Sequence, residues 1–524
     1  MRTILLAALA VTALVGNRCA AQGDARNKPI SLAAVSCAGY DRLIADVNAV
    51  GQWCGDESLG QRLQMLLLTL PQGDASKGPL ALDTARPWGA VRLVGGPSPV
   101  SYLFLPVAEI RPLMDLIEGQ LGCTAKVKNG VYQIPFGKEA FYASHNRHWA
   151  FIADSPQALE KVAANPETLL GDLPQRYDLA IHASPDAIPE EYRQALPSWS
   201  CLDEMDDLLL GWNVDSQTKT SYVDLELRAR LGTNLAVDLA QVTPGKSDFF
   251  ELAMPNAAVT AVAAGVLSDT RAGQLNGLLA ILHVYTLVQL QSQGLSNAAF
   301  QSASRLLNAL ASALQKAVVR KKLDGGLAIR LDAVGGTLLA GASLANAGRL
   351  EAALQRATEE IPRNDPLAKT ITMAGETYHG IRLHTISLAL PDRQWTPLVG
   401  DRLEAAVGIA DDKVLIAAGR DALPTLKSAL DRLKTAGAKE VPPLKITVAV
   451  APVARLLATV AQDPGLKANA ALLAGLFSNS NDKGCDTLSV QRIPRGVRLR
   501  LRVDDKVLRG LIALAQTLGT YLPR

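Results

Sequence analysis

The residues of this chain that could bind a metal begin with a histidine pair, because imidazoles at short spacing can ligate zinc. His145 and His148 form a His-x-x-His pair beside Trp149. Zinc hydrolases of duplicated α/β domains carry His-x-x-Glu-His on a helix, where the ligands share a face and the Glu is the base. This chain has no Glu in that place, and the pair flanks an expected hairpin turn. The pattern therefore favours a solvated turn over a zinc site.

A second pair, His379 and His384, lies on or beside a strand predicted over 381–390. Residues five apart on a strand point to opposite faces of a sheet, so this pair is not expected to bind one metal ion together. The sequence therefore assigns no catalytic residue, no cofactor-binding residue and no metal ligand.

Nucleophile and phosphate-binding motifs are incomplete. The stretch 341–345, Gly-Ala-Ser-Leu-Ala, lacks the second glycine of a nucleophile elbow, and Ser155 and Ser428 have no readable His–Asp partners. The Gly-Gly-Pro at 95–97 is read as a turn, because no Lys-Ser/Thr or helix start follows it.

Two charged clusters have ordinary structural interpretations. The acidic cluster at 203–207 could bind calcium, but it lacks alternating ligands around a central glycine, so a solvated loop is favoured. Arg498, Arg500 and Arg502 alternate along a strand and share one face. That face could touch anionic envelope polymers or lipid headgroups, although the wet side of a sheet is the preferred interpretation.

The composition is that of a folded protein with two or three domains. The chain has 524 residues, of which 48% are hydrophobic and 20% charged, with a net charge of +3. Nearly balanced charge gives no electrostatic basis for binding nucleic acid.

The first 21 residues are predicted to be a signal peptide. Arg2 precedes an apolar run over 3–15, and small residues at 19–21 allow cleavage after Ala21. The run is short for a membrane span of about 20 residues, so an uncleaved anchor is the weaker alternative and no span is expected after cleavage. The mature protein is expected in the periplasm or outside the cell.

Cleavage would leave five cysteines, an odd number: Cys37, Cys54, Cys123, Cys201 and Cys485. Cys37 and Cys54 flank a predicted helix that would separate their Cα atoms by roughly 15–20 Å, and a disulfide needs less than about 7 Å. We therefore expect no bridge between them.

A strand–turn–helix unit occurs twice and organises the chain. The stretch 146–161 corresponds to 411–427, with apolar strands at 149–153 and 414–418. Ala158 then matches Ala422 at the start of each helix.

Weaker matches on both sides of this unit keep the same order, so the sequence predicts a duplicated α+β domain. The first copy covers 29–242, a linker 243–256 and the second copy 257–524. Each copy is expected to be a mostly antiparallel sheet with helices on one face. The alternative is two unrelated α+β domains.

The second copy is predicted to contain a helical hairpin over 268–323. Leu307, Leu310 and Leu314 form an apolar seam that is expected to pack on Leu278 and Leu282. The segment 275–290 is apolar almost all round and is read as a buried helix rather than a membrane span.

Four apolar motifs in the first copy carry a resemblance. They are Arg-Pro-Trp-Gly at 86–89, Phe-Leu-Pro-Val at 104–107, Trp-Ala-Phe-Ile-Ala-Asp at 149–154 and Tyr-Asp-Leu-Ala-Ile at 177–181. In this order after a signal peptide, they resemble a family of uncharacterised secreted bacterial proteins with a duplicated α+β domain. The resemblance implies a fold and no function.

Three functions are compatible with the sequence. The favoured one is a non-catalytic extracytoplasmic protein that binds or scaffolds in the bacterial envelope, with an envelope protein or a second copy as partner. A hydrolase with an unrecognised site between the copies would need a His and carboxylates of shifted pKa in a cleft. A carrier of an apolar ligand would need a large apolar cavity.

Overall fold

The structure is a computed structural model that describes residues 30–61, 82–94, 100–185, 202–252, 254, 256–292, 297–332, 335–344, 347–359, 370–389, 396–477 and 484–510. The chain divides into two compact units. Unit 1 holds residues 1–235 and 502–512, and unit 2 holds residues 236–501 and 513–524. Each unit is mixed α/β and is built on an antiparallel sheet.

Ten strands lie wholly within the described part of unit 1. They are β1 (Ile30–Cys37), β2 (Trp88–Val94), β3 (Val100–Pro106), β4 (Lys126–Lys128), β5 (Val131–Phe136), β6 (Glu139–Asn146), β7 (Trp149–Ala153), β8 (Leu179–Ala183), β9 (Met205–Asp215) and β10 (Thr220–Ala229). Antiparallel pairing arranges them in the order β4-β5-β6-β7-β3-β2-β1-β8-β9-β10. The sequence Asn129-Gly130 favours a two-residue hairpin turn. It joins β4 to β5, and both residues have the positive φ that such a turn requires.

The helices of unit 1 begin and end at recognisable residues. They are α1 (Tyr40–Cys54), α2 (Ile110–Leu121), α3 (Pro156–Leu159) and α4 (Leu173–Arg176), with α5 (Asn234–Ala240) at the division between the units. Ser155 caps α3, since its Oγ accepts the N–H of Ala158 at 3.3 Å. Gly122 ends α2 in the left-handed conformation.

Both faces of the unit 1 sheet are covered, which corrects the prediction of helices on one face. Ala150 and Ile152 pack with Leu113 of α2. Trp149 and Phe151 point the other way and pack in the cluster that contains Ala158 of α3. All five residues of β7 are therefore buried. A strand that is apolar at every position, rather than at alternate ones, is typical of a sheet buried on both sides.

Unit 2 has its own set of strands. They are β11 (Gly245–Ser247), β12 (Ala257–Val266), β13 (Lys322–Asp332), β14 (Gly335–Ser343), β15 (Ile371–Tyr378), β16 (Ile381–Ala389), β17 (Arg402–Ile409), β18 (Lys413–Gly419), β19 (Lys439–Val441), β20 (Leu444–Ala449) and β21 (Cys485–Ile493). Antiparallel pairing gives the order β15-β16-β17-β18-β14-β13-β12-β20-β21. β11 pairs separately with β19, and β22 (Gly496–Asp504) crosses the division between the units.

The helices of unit 2 also cover both faces of the sheet. They are α6 (Asp269–Ser292), α7 (Asn297–Val319), α8 (Ala347–Glu359), α9 (Thr396–Val399), α10 (Ala422–Ala436), α11 (Val450–Val460) and α12 (Pro464–Leu476). Leu426 of α10 packs with Leu415 and Ala417 of β18. Val414 of the same strand faces the other way, against Leu350 of α8.

The segment 243–256 is part of the unit 2 fold, although the sequence suggests a linker there. It contains β11 and a 3₁₀ helix over Phe250–Leu252. Phe249 and Leu252 are buried in the core beside Leu339. Apolar side chains within a polar-looking stretch explain why this segment is fixed to the sheet.

Several expectations fall outside the described residues. They are the signal peptide at 1–21, the Gly-Gly-Pro turn at 95–97 and Cys201. The sequence also predicts helices over 57–70 and 186–196 and a match of 514–516 with 239–241 between the copies. Most of the first helix, all of the second and the stretch 514–516 lie outside the described residues as well. Cys37 and Cys54 are free thiols, and burial raises the pKa of each to about 11.

Candidate functional site

The long helix α6 exposes an apolar face. Six large apolar side chains of this helix keep more than half of their surface open to solvent. They are Leu278, Ile281, Leu282, Val284, Tyr285 and Val288. Ile281 is the most exposed of them, at 67%. A contiguous apolar patch of this kind is unusual on a soluble protein and marks an interaction site. We call these six residues the α6 face.

The α6 face contradicts the sequence interpretation of 275–290 as a buried helix. The reason lies in the neighbouring helix α7. Its seam residues Leu310 and Leu314 pack with Leu350 and Leu354 of α8, not with Leu278 and Leu282 as the sequence predicts. The α7 seam is therefore occupied by α8, which leaves one side of α6 uncovered.

The other side of α6 contacts α7. His283 Nε2 lies 2.7 Å from Asn308 Oδ1, which joins the two helices by a side-chain hydrogen bond. At the start of α6, the Ser268 Oγ accepts the N–H of Arg271, and Lys321 Nζ lies 2.7 Å from Asp269 Oδ1. These contacts hold α6, and with it the α6 face, in a fixed position.

The chemistry of the α6 face is apolar and uncharged. The sequence holds no Asp, Glu, Lys or Arg from 272 to 304. Beside the large side chains, Gly273 and Gly277 leave a hollow, because a Cβ added to either glycine would meet no atom within 4 Å. Among the described residues, no helix has the combined length and hydropathy to cross a membrane.

A buried polar network in unit 1 escaped the sequence analysis. The Tyr177 hydroxyl donates to Asp224 Oδ2 at 2.9 Å and lies 3.2 Å from Glu226 Oε1. Arg176 also donates to Glu226. Asp224 and Glu226 are almost fully buried. Burial and these two carboxylates raise the pKa of Tyr177 and keep its hydroxyl protonated.

The network continues to the acidic cluster at 203–207. Arg228 lies 3.3 Å from Glu226 and 3.7 Å from Asp207, and Asp207 Oδ1 lies 2.9 Å from His182 Nε2. Glu204 accepts the N–H of Leu235. The cluster that the sequence favoured as a solvated loop thus has two members tied to the fold. A signal in the sequence could have revealed this network: charged residues alternate along a half-buried strand at Asp224, Glu226 and Arg228.

A second network in unit 1 joins two carboxyl groups. Arg42 Nε lies 2.6 Å from Asp178 Oδ1 and 3.9 Å from Asp46 Oδ2. Asp178 is fully buried and also accepts the N–H of Val214. Burial and the adjacent Asp178 raise the pKa of Asp46 to about 7.

His379 and His384, the second histidine pair of the sequence, have different partners in unit 2. His384 is buried, and its Nδ1 accepts the N–H of Ala374 at 3.1 Å. Its Nε2 therefore carries the proton of the neutral ring, and lies 3.5 Å from Glu351. His379 lies in a turn, 2.7 Å from Asp431 on α10. The two rings are held by separate elements.

His145 and His148 lie at the β6–β7 turn. His145 Nε2 is 3.1 Å from the Val107 carbonyl, and His148 is exposed. Arg498 and Arg500 on β22 are partly buried and interact with other residues, while Arg502 is exposed. Within the described part of the chain, no group of three His, Cys, Asp or Glu side chains is placed to hold a metal ion.

A polar cleft with a volume of about 500 Å³ lies in unit 2. Arg330, Arg402 and Arg420 line it together with four carboxylates. Arg330 donates to the Thr337 hydroxyl at 3.2 Å, and Arg402 donates to the Ser387 carbonyl at 2.9 Å. Two of the three guanidinium groups thus already hold strand residues. The α6 face is the stronger candidate site, because its apolar surface has no such internal role.

Comparison with known proteins gives no assignment: no protein-family model, no curated protein and no solved structure matches this chain.

Proposed function

We propose that this protein is a non-catalytic binding or scaffolding protein of the bacterial envelope, and that α6 is its docking element. The observation that carries this proposal is the exposed apolar side of α6, on which Ile281 is 67% exposed. Leaving Leu, Ile, Val and Tyr side chains in water costs free energy that a partner would recover by covering them.

The partner that fits best is an apolar protein surface. An interfacial membrane helix combines an apolar face with Lys and Arg on its polar side. Residues 272–304 hold no Lys or Arg. Nucleic acid is disfavoured by the same absence of charge. Binding of a helical protein surface does not require charged residues on the α6 face, because apolar packing can supply the affinity.

Export is the second part of the proposal. It rests on the sequence of residues 1–21, with Arg2 ahead of an apolar run and small residues before Ala21. A periplasmic or extracellular protein of this kind would meet its partner in the envelope.

We also propose that the two units are duplicated copies and that α6 and α7 form a hairpin inserted into the second copy. The orders β4-β5-β6-β7-β3-β2-β1-β8-β9 and β15-β16-β17-β18-β14-β13-β12-β20-β21 support duplication, because they match strand for strand. When each set of nine strands is counted along the chain, a helix follows the third strand in both: α2 follows β3, and α8 follows β14.

The residue alignment of the proposed copies needs a shift of one position. The sequence aligns Trp149 with Val414, but Trp149 packs on the side of α3 and Val414 on the side of α8. Because side chains alternate along a strand, a shift by one residue reverses the faces. Ala158 and Ala422 both remain buried at their helix starts.

Photo-cross-linking in cells tests the docking role of α6. A photoreactive amino acid at position 281 is expected to give an adduct with a protein, because that side chain points into the partner. The same residue at position 466 is the control, since Leu466 is also exposed, at 48%, but lies on α12. An adduct with lipid alone, or equal yields at both positions, would overturn the proposal.

A further inference from the structure

We infer that the α6 face binds the same face of a second copy of this chain, in an antiparallel arrangement with a two-fold axis at Ile281. This inference rests on the proposed docking role of α6 and names its partner. Three properties of the face support it: its charge, its shape and its size.

The charge of the face suits a second copy. A partner that brought charged side chains onto this surface would bury them without counter-ions, because none is present between 272 and 304. The same face of another copy is equally uncharged. Pairing two such faces therefore removes apolar surface from water without desolvating any ion.

The shape of the face is self-complementary. Gly277 lies four residues before Ile281 and Tyr285 lies four residues after it, so all three project from one side of the helix. A two-fold axis at Ile281 places Tyr285 of each copy over Gly277 of the other. The open space at Gly277 is then filled by a Tyr ring, which is 61% exposed in the monomer. An isologous interface requires this combination of knob and hollow on a single surface.

The same axis brings Leu278 of one copy beside Val284 of the other. Both side chains are more than half exposed in the monomer. At the centre, the two Ile281 side chains meet each other. Leu278, Ile281 and Val284 thus each gain an apolar neighbour from the other copy, which is the packing that a buried interface core requires.

The size of the face predicts a reversible dimer. A helix of 24 residues is about 36 Å long and roughly 10 Å wide. That footprint is smaller than the ~800 Å² per partner of standard-size interfaces. We therefore expect the oligomeric state to depend on protein concentration.

Sedimentation velocity of the purified full-length chain tests this inference with two glycine variants. Gly277→Leu fills the hollow that Tyr285 would occupy, and is expected to weaken dimerisation about tenfold or more. Gly119→Leu is the control, because Gly119 also lies exposed in a helix and a Cβ there would meet no atom within 4 Å. It should dimerise like the wild type.

The outcomes separate this inference from the proposed function. Concentration-dependent dimers that Gly277→Leu weakens and Gly119→Leu preserves support the two-fold pairing. A wild-type protein that is monomeric at every concentration overturns the second copy as partner, as does a dimer that Gly277→Leu leaves unchanged. A cross-link from position 281 to a different protein would then still support α6 as a docking element.

Discussion

His283 and Asn308 join α6 to α7 across a distance of 2.7 Å between Nε2 and Oδ1. The bond lies on the inner side of α6, while Ile281 projects away from α7 and is exposed. The two residues therefore orient the helix, so that its apolar side faces outward. In our proposal, α8 packs on α7, α7 fixes the inner side of α6, and the exposed side of α6 binds a partner.

The two helices should respond differently to a charged residue. Ile281→Glu is expected to change the free energy of unfolding of the monomer by no more than about 0.5 kcal/mol, because the side chain is exposed. Leu310→Glu should cost at least ~2 kcal/mol, because Leu310 packs with Leu350 and Leu354. Urea denaturation at low protein concentration measures both. Equal losses would mean that Ile281 is buried in the folded monomer, contrary to our account.

Tyr177→Phe should destabilise unit 1 by about 1–3 kcal/mol, because the buried Asp224 loses the hydroxyl that donates to it. The matched control is Tyr378→Phe, whose hydroxyl donates to Asp431 at an exposed site. That variant is expected to stay within about 0.5 kcal/mol of the wild type. Denaturation curves of the two variants decide the point, and similar losses for both would contradict a buried role for Tyr177.

Asp46→Asn should reduce the dependence of stability on pH. The folded pKa of Asp46, about 7, lies above its ordinary value of 3.8. The group therefore stabilises the fold fully below about pH 4, and this contribution is lost as the pH rises through 7. The wild type should lose stability relative to the variant between pH 4 and 7. Parallel pH profiles for the two proteins would show that Asp46 titrates normally.

His384 should give a pH dependence of opposite sign. Burial lowers its folded pKa below the ordinary value of 6.5, and the nearby Glu351 only partly opposes this effect. The unfolded chain then binds a proton more readily, so stability should fall as the pH drops below about 6.5. His384→Gln is expected to remove that fall, while His148→Gln at the exposed turn should retain it. A comparison of thermal midpoints between pH 5 and 7 tests the assignment.

The sequence predicted local structure better than it predicted which elements cover one another. The turn at Asn129-Gly130 could be predicted because a two-residue hairpin turn depends on adjacent residues. The apolar run at 149–153 was also recognised. Because every side chain of this run is apolar, both faces of the strand indicate contact with other elements. The prediction used only the strand itself and therefore placed helices on one face of the sheet.

The candidate site could not be predicted for a related reason. Hydrophobic periodicity shows that α6 is apolar, but it does not show which neighbour covers it. That depended on whether Leu310 of α7 would pack on α6 or on α8. The Tyr177 network is of the same kind, since Tyr177 and Asp224 are 47 positions apart in sequence.

Accessibility of position 284 tests the docking role of α6 most directly. Val284→Cys places a thiol on the α6 face, where Val284 is 58% exposed, and Leu466→Cys places one on α12 as a control. Each variant is labelled with a maleimide, once as dilute purified protein and once in intact cells. Mass spectrometry of the peptides separates the new thiol from the native cysteines. We predict that position 284 reacts in the dilute protein and is protected in cells, while position 466 reacts in both. Equal labelling of position 284 under the two conditions would contradict the account.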